Sequence, residues 1–123
     1  MSPVGMLRGS LVLLWWGTVV ASLHDGGAAG AAWLQRAAGC TAGVAQAGVW
    51  MGCAWDAVVG LLLLLRPTVG TTRLAAAGVM GLTAMATALA PGLWLDPFAP
   101  LLKNLPVLAA LAALASQPAT PVR

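Results

Sequence analysis

From Val44 to Leu65 almost every side chain is apolar or small, the segment ends in five leucines, and it carries one carboxylate, Asp56. At about 1.5 Å per residue the stretch spans roughly 30 Å, the thickness of a hydrocarbon core. Inside lipid every backbone polar group must be satisfied within its own segment, which a helix achieves and a short strand does not. The chain must therefore build a helical membrane protein and find shelter for Asp56, because a carboxylate facing lipid is costly.

Composition points the same way. Hydrophobic residues make up 60% of the 123 positions and charged residues 7%, against about 25% charged in an ordinary soluble domain. The formal charge of +3 is spread singly along the chain, and nucleic-acid binding needs lysines and arginines clustered on one face. Nucleic acid is excluded as a partner, and the lipid bilayer takes its place.

Four hydrophobic segments can be drawn, at about Met6–Leu23, Val44–Leu65, Leu74–Leu89 and Pro97–Ala115. Short links at Arg66–Arg73 and Ala90–Asp96 make consecutive helices antiparallel neighbours. The expected fold is all-α: one domain over residues 1–123, a transmembrane four-helix antiparallel bundle. A cleavable signal peptide is the competing account of the first segment, with Arg8 as its charged end. Trp15 and Trp16 are bulky for such a segment, and three more apolar segments follow in any case.

Basic residues orient a membrane chain, being retained in short cytoplasmic loops. Arg8, Arg66, Arg73 and Arg123 fall on one side, and Arg36 and Lys103 on the other. Both termini are accordingly expected in the cytoplasm, in the cell membrane. The long first connection contains a turn at His24-Asp25-Gly26-Gly27. It then has an alanine-rich stretch, Ala28–Ala38, whose Trp33, Leu34 and Arg36 suit a short helix lying in the headgroup region and ended by Gly39. We read it as an interfacial connector, with a lid over a binding site as the alternative.

Within the second segment Gly48, Gly52, Asp56 and Gly60 recur every four residues and share one helix face. Small residues at that spacing let helix backbones approach closely. Asp56 is thus expected in a tightly packed interior closed to water. Its bland role is a buried hydrogen-bonded or ion-paired group that fixes packing; its functional role is ligand, quinone or proton handling. The fourth segment offers partners. Asp96 and Pro97 have the chemistry of a helix start, which sets Lys103 and Asn104 about one and a half turns inside. Pro106 would then kink the helix or free the carbonyl of Leu102. Counted along the helices, Asp56 and Lys103 lie roughly 15 Å and 20 Å from the same membrane face. This predicts an Asp56–Lys103 contact, with Asn104 as alternative or additional partner, unless Lys103 reaches outward to Asp96.

The run Leu93-Trp-Leu-Asp-Pro-Phe-Ala-Pro-Leu-Leu-Lys-Asn-Leu-Pro106 resembles the C-terminal signature of DoxX-like membrane proteins, with Ala99 at a position usually held by glycine. Trp55-Asp56-Ala-Val-Val-Gly60-Leu-Leu-Leu is similar to that family's second-helix pattern. The resemblance implies a four-helix membrane bundle and carries over to Asp56, Asp96, Pro97, Lys103, Asn104 and Pro106. It also implies a link to membrane redox complexes and quinone-dependent thiosulfate oxidation, with quinone as the implied cofactor. The glycine- and alanine-rich first loop departs from the family pattern.

The residues alone support redox chemistry weakly. Cys40 and Cys53 are 13 positions apart, about 20 Å on a continuous helix and beyond disulfide reach. There is no Cys-x-x-Cys pair, and too few cysteines and histidines for a cluster, haem pair or metal site. His24 beside Asp25 belongs to a solvated turn, and Cys53 to packing. Three roles stay open. The first is a subunit or partner of a membrane or peripheral redox protein, the second a quinone- or thiol-linked oxidoreductase. The third is a proton-coupled transporter working as a homo-oligomer.

Overall fold

The computed structural model describes residues 2–95 and 101–117. Among them are five α-helices, α1 (Pro3–Leu23), α2 (Ala28–Ala38), α3 (Ala42–Leu65), α4 (Val69–Leu89) and α5 (Asn104–Ala115), with a 3₁₀ turn at Pro91–Trp94. Of these, α1, α3 and α4 are long and apolar enough to cross a bilayer, and α5 is a shorter apolar helix. Each long helix begins at a hydroxyl cap: Ser2, Thr41 and Thr68 accept from the backbone N–H three residues on, so each start satisfies a donor that lipid could not.

The helices form a ring. Contacts are most extensive between α1 and α3 and between α4 and α5, while α3 meets α4 and α1 meets α5 over less surface. Two tight antiparallel pairs therefore face each other. They join through a core of Leu11, Trp15, Val59, Leu63, Ala75 and Leu111, all buried. All but Trp15, which stands just past the middle of α1, lie toward the end where α1 and α4 begin and α3 and α5 finish. That half of the bundle is filled, and the half beside α2 is not. The outside is apolar as well: Leu13 is 75% exposed and Met51 73%, which suits lipid and not water.

The amphipathic stretch of the first connection is a helix with the expected bounds. Gly39 ends it in the left-handed region at φ 67°, its N–H bonded to the carbonyl of Gln35, a conformation that favours glycine. At the other end Gly27 sits at φ 83°, and a Cβ there would meet Val49 Cγ1 at 3.0 Å and Gln46 Nε2 at 3.1 Å. Gln46 Nε2 also donates to the carbonyl of Gly26, at 3.0 Å. The turn is thereby clamped onto α3, and α2 lies fixed across that end of the bundle.

The fourth segment departs from expectation. Helix α5 starts at Asn104, not at Pro97; Asp96 and Pro97 lie outside the described residues, so their role as a helix start is not part of this picture. Pro106 consequently stands at the third helical position, where its missing N–H has no intrahelical partner to lose. It neither kinks the helix nor frees Leu102, whose carbonyl accepts from the Leu105 N–H at 3.2 Å. A start at Pro97 would have put Pro106 in the helix interior, at a cost of about 3 kcal/mol; the later start avoids that.

Candidate functional site

Asp56 lies one turn above Gly60, and at Gly60 side chains of α1 press against the backbone of α3. A Cβ on Gly60 would lie 2.7 Å from Trp16 Cδ1 and 3.2 Å from Trp15 Cβ. The Trp16 indole and the Trp15 Cβ fill the space that the glycine leaves, and the buried Trp15 side chain stands in the core below the carboxylate. Above Gly60 the fit ends. Nothing lies within 4 Å of a Cβ built on Gly52, and Gly48 is met only by Leu34 of α2, at 3.4 Å. The glycine stripe is therefore not a continuous backbone contact. Its middle is open, and Asp56 is half-buried and faces space on both sides.

The larger space is a cleft of about 470 Å³ between the two helix pairs. Its lining includes Trp15 and Thr18 of α1, Gly52, Trp55 and Asp56 of α3, Leu82 and Met85 of α4, and Asn104 and Val107 of α5. Trp55 holds α3 and α4 apart, its ring set against Gly78, where a Cβ would be 2.6 Å from Nε1. Most of the wall is apolar. Leu14, Trp55, Leu82 and Met85 are among the exposed large hydrophobic side chains, so the rim of the cleft belongs to the lipid-facing surface.

Asn104 enters at the first position of α5. Its Nδ2 donates to Thr83 Oγ1 at 2.8 Å, and Thr83 Oγ1 donates to the carbonyl of Val79 at 2.6 Å. One turn on, Thr87 Oγ1 donates to the Thr83 carbonyl and accepts from Trp94 Nε1 at 3.0 Å. This chain of hydroxyls fixes α5 and the 3₁₀ turn against α4. One amide hydrogen of Asn104 is committed to Thr83, and the side chain itself borders the cleft. Sequence reasoning passed over Thr83, although Thr83 and Thr87 at a spacing of four in an apolar helix were a signal of a polar seam.

A second cleft, of about 400 Å³, runs under α2. It extends from Asp25 and Ala29 past Ser22 and Thr18 on one wall, and past Gly48, Val49 and Cys53 on the other, to Asp56. Thr18, Gly52, Asp56 and Leu82 line both clefts. At its mouth Asp25 caps α2, Oδ2 accepting from Ala29 N and Oδ1 from Gly27 N, both at 3.0 Å. The Ala29 N–H foremost, then the Gly27 N–H and neighbouring His24, hold the Asp25 carboxyl below its usual range.

Asp56 and Asn104 thus border one cleft. Lys103 caps α5 at the α2 end, is exposed, and lines neither cleft; a late start for α5 moves it out of the span in which it was expected beside Asp56. Cys40 and Cys53 are both free, Cys40 donating weakly to the Leu34 carbonyl at 3.7 Å and Cys53 buried. Among comparisons with known proteins, the model of the DoxX-like family matches residues 10–112. No curated protein and no solved structure matches the chain.

Proposed function

The chain belongs to the DoxX-like family of membrane proteins, and from that premise we propose that it is a membrane subunit that holds a quinone-class amphiphile for a redox partner. The observation that carries this reading is the 470 Å³ cleft with a rim of exposed apolar side chains and three polar side chains, Thr18, Asp56 and Asn104, on its lining. That volume falls within the roughly 300–1,000 Å³ of small-molecule sites, which pair apolar walls with a few placed polar groups. A quinone head presents two carbonyl acceptors. Asn104 has a second amide hydrogen to donate, and Asp56 donates when its carboxyl is protonated. The indoles of Trp15 and Trp55 supply flat apolar surface for the ring. Bound quinone would supply two-electron redox chemistry; the chain's own residues would bind it and orient it.

A quinone-linked oxidoreductase acting alone is the second reading, and it needs an electron donor as co-substrate. Transport is the weakest. A carrier must expose its acid to both sides, whereas the filled core of Leu11, Val59, Leu63 and Leu111 stands between Asp56 and the terminal face. The basic residues favour cytoplasmic termini, which would direct α2 and the clefts to the opposite aqueous phase.

Quinone binding can be followed by quenching of tryptophan fluorescence in mild detergent, together with mass analysis of co-purified lipid. Asp56→Leu and Asn104→Leu should each weaken binding roughly tenfold to a hundredfold, the equivalent of losing a hydrogen bond worth about 1.5–3 kcal/mol. A co-purified quinone and a partner protein are the expected companions. Wild-type protein that carries no quinone and shows no saturable quenching would refute the proposal.

A further inference from the structure

We propose that the smaller cleft is a one-sided water path through which Asp56 exchanges protons with the aqueous phase beside α2. Three observations converge. The cleft is continuous with the larger one, because Thr18, Gly52, Asp56 and Leu82 border both. Its length is marked by polar groups: Asp25 at the mouth, Ser22 and Thr18 along α1, and Asp56 at the inner end. Past Asp56 the Trp16 indole and the Trp15 Cβ lie against Gly60, and the apolar core of Leu11, Val59, Leu63 and Leu111 fills the bundle toward the end where α1 begins.

The chemistry at each point suits proton passage. Each Asp25 oxygen accepts one backbone N–H and keeps a lone pair for water. Held in its charged form at neutral pH by those bonds, Asp25 sets a negative charge at the mouth, which concentrates hydronium there. Thr18 gives its own hydrogen to the Leu14 carbonyl at 2.7 Å and so offers water an acceptor. At the inner end a hydronium ion transfers its proton to the Asp56 carboxylate, leaving a neutral carboxyl and water; release runs the same step backwards. Of the other titratable groups on the surrounding elements, Cys53 of α3 lies on the cleft wall. His24 stands beside Asp25 at the mouth, Arg36 of α2 and Lys103 just before α5 are exposed, and Arg73 of α4 and Arg8 of α1 stand near the opposite face. Among the described residues, no element beside the path therefore brings a cation to Asp56. This inference deepens the quinone reading and rests on it for the use of the proton, since a bound quinone and water would reach the two sides of one carboxyl.

The test is sided labelling with a small, charged methanethiosulfonate, which reacts with thiolates in water and not with thiols in lipid or core. In a Cys40→Ala, Cys53→Ala background, Ser22→Cys, Thr18→Cys and the core control Val59→Cys are compared in right-side-out and inside-out vesicles. Ser22→Cys and Thr18→Cys should label only from the α2 side, at least tenfold faster than Val59→Cys. Independently, the Asp56 carboxyl band in infrared spectra, identified by its loss in Asp56→Asn, should respond to a pH jump on the α2 side alone. Ser22→Leu should slow that response tenfold or more. Labelling from both sides, labelling at neither position, or a pH response indifferent to Ser22→Leu would overturn the proposal. One-sided labelling with no quinone bound would leave the path standing and remove the ligand reading, so the two fail separately.

Discussion

Asp56 and its neighbours show how one spacing can carry two different jobs. Gly48, Gly52, Asp56 and Gly60 do share a face, as their spacing of four requires, but what lies opposite each is decided by another element. Opposite Gly60 stand Trp15 and Trp16; a Cβ at Gly52 meets nothing within 4 Å. Gly60→Ala should therefore lower stability by about 1–3 kcal/mol, because the Trp15 Cβ is held by its own backbone and cannot swing away. Gly52→Ala should be neutral or stabilising by up to about 1 kcal/mol, the gain in helix propensity. Melting temperatures in one detergent compare the two, and equal losses would mean that the stripe is packed along its whole length. A single sequence discloses which residues share a face. It cannot disclose that the partner helix presses two tryptophans against one level and sets a threonine less than one turn higher.

The elements differ in how openly they declare themselves, and the difference is physical. Helix α2 was legible to the residue because its stop is a glycine in a conformation that favours glycine, and its turn is rich in residues that break helices. The start of α5 was not. Apolar character continues through Leu101 and Leu102, so hydropathy shows no edge there, and Pro97 and Pro106 each suit a first turn. Placed in the first turn, Pro106 contributes nothing that alanine would not, and Pro106→Ala should shift the melting temperature little; a kink-forming proline would not behave so. The seam above it should be sensitive. Thr83→Val leaves the Asn104 amide without its partner and should cost about 1–3 kcal/mol, most of it recovered in the Thr83→Val, Asn104→Leu pair, as a double-mutant cycle would register. The Asp25 cap makes a pH prediction. Its carboxyl is held below the usual range, so its contribution to α2 is complete above the ordinary carboxylate pKa near 3.9 and is lost as pH falls through the lower folded value. Amide exchange at Ala29 should quicken over that acid window and be fast at all pH in Asp25→Ala.

At the scale of the molecule the bundle is a cup, filled at the end where α1 begins and α5 finishes and open beneath α2, and on the proposed path its direction in the membrane decides which compartment reaches Asp56. Of the leucines that close α3, Leu63 is buried in the core while Leu61, Leu64 and Leu65 are exposed, so their run does not mark the filled end; the open end follows from Trp55 wedged against Gly78 and from the clamp of Gln46 on Gly26, contacts between elements that no local pattern encodes. Direction is expected from basic residues: Arg8, Arg66 and Arg73 stand at the filled end and Arg36 and Lys103 at the open one, and Arg123 follows α5 in the sequence. Neutralising Arg66 and Arg73 to glutamine leaves two on each side and removes the bias that positive residues impose during insertion. A C-terminal reporter should then pass from a wholly cytoplasmic signal to a divided one. In that same variant Ser22→Cys should label from both faces of the membrane, because each orientation opens its own cup to its own side. A reporter already outside in the native chain would reverse the assignment of the open end to the non-cytoplasmic compartment. It would leave the cup itself intact, since that shape is fixed by packing and not by topology.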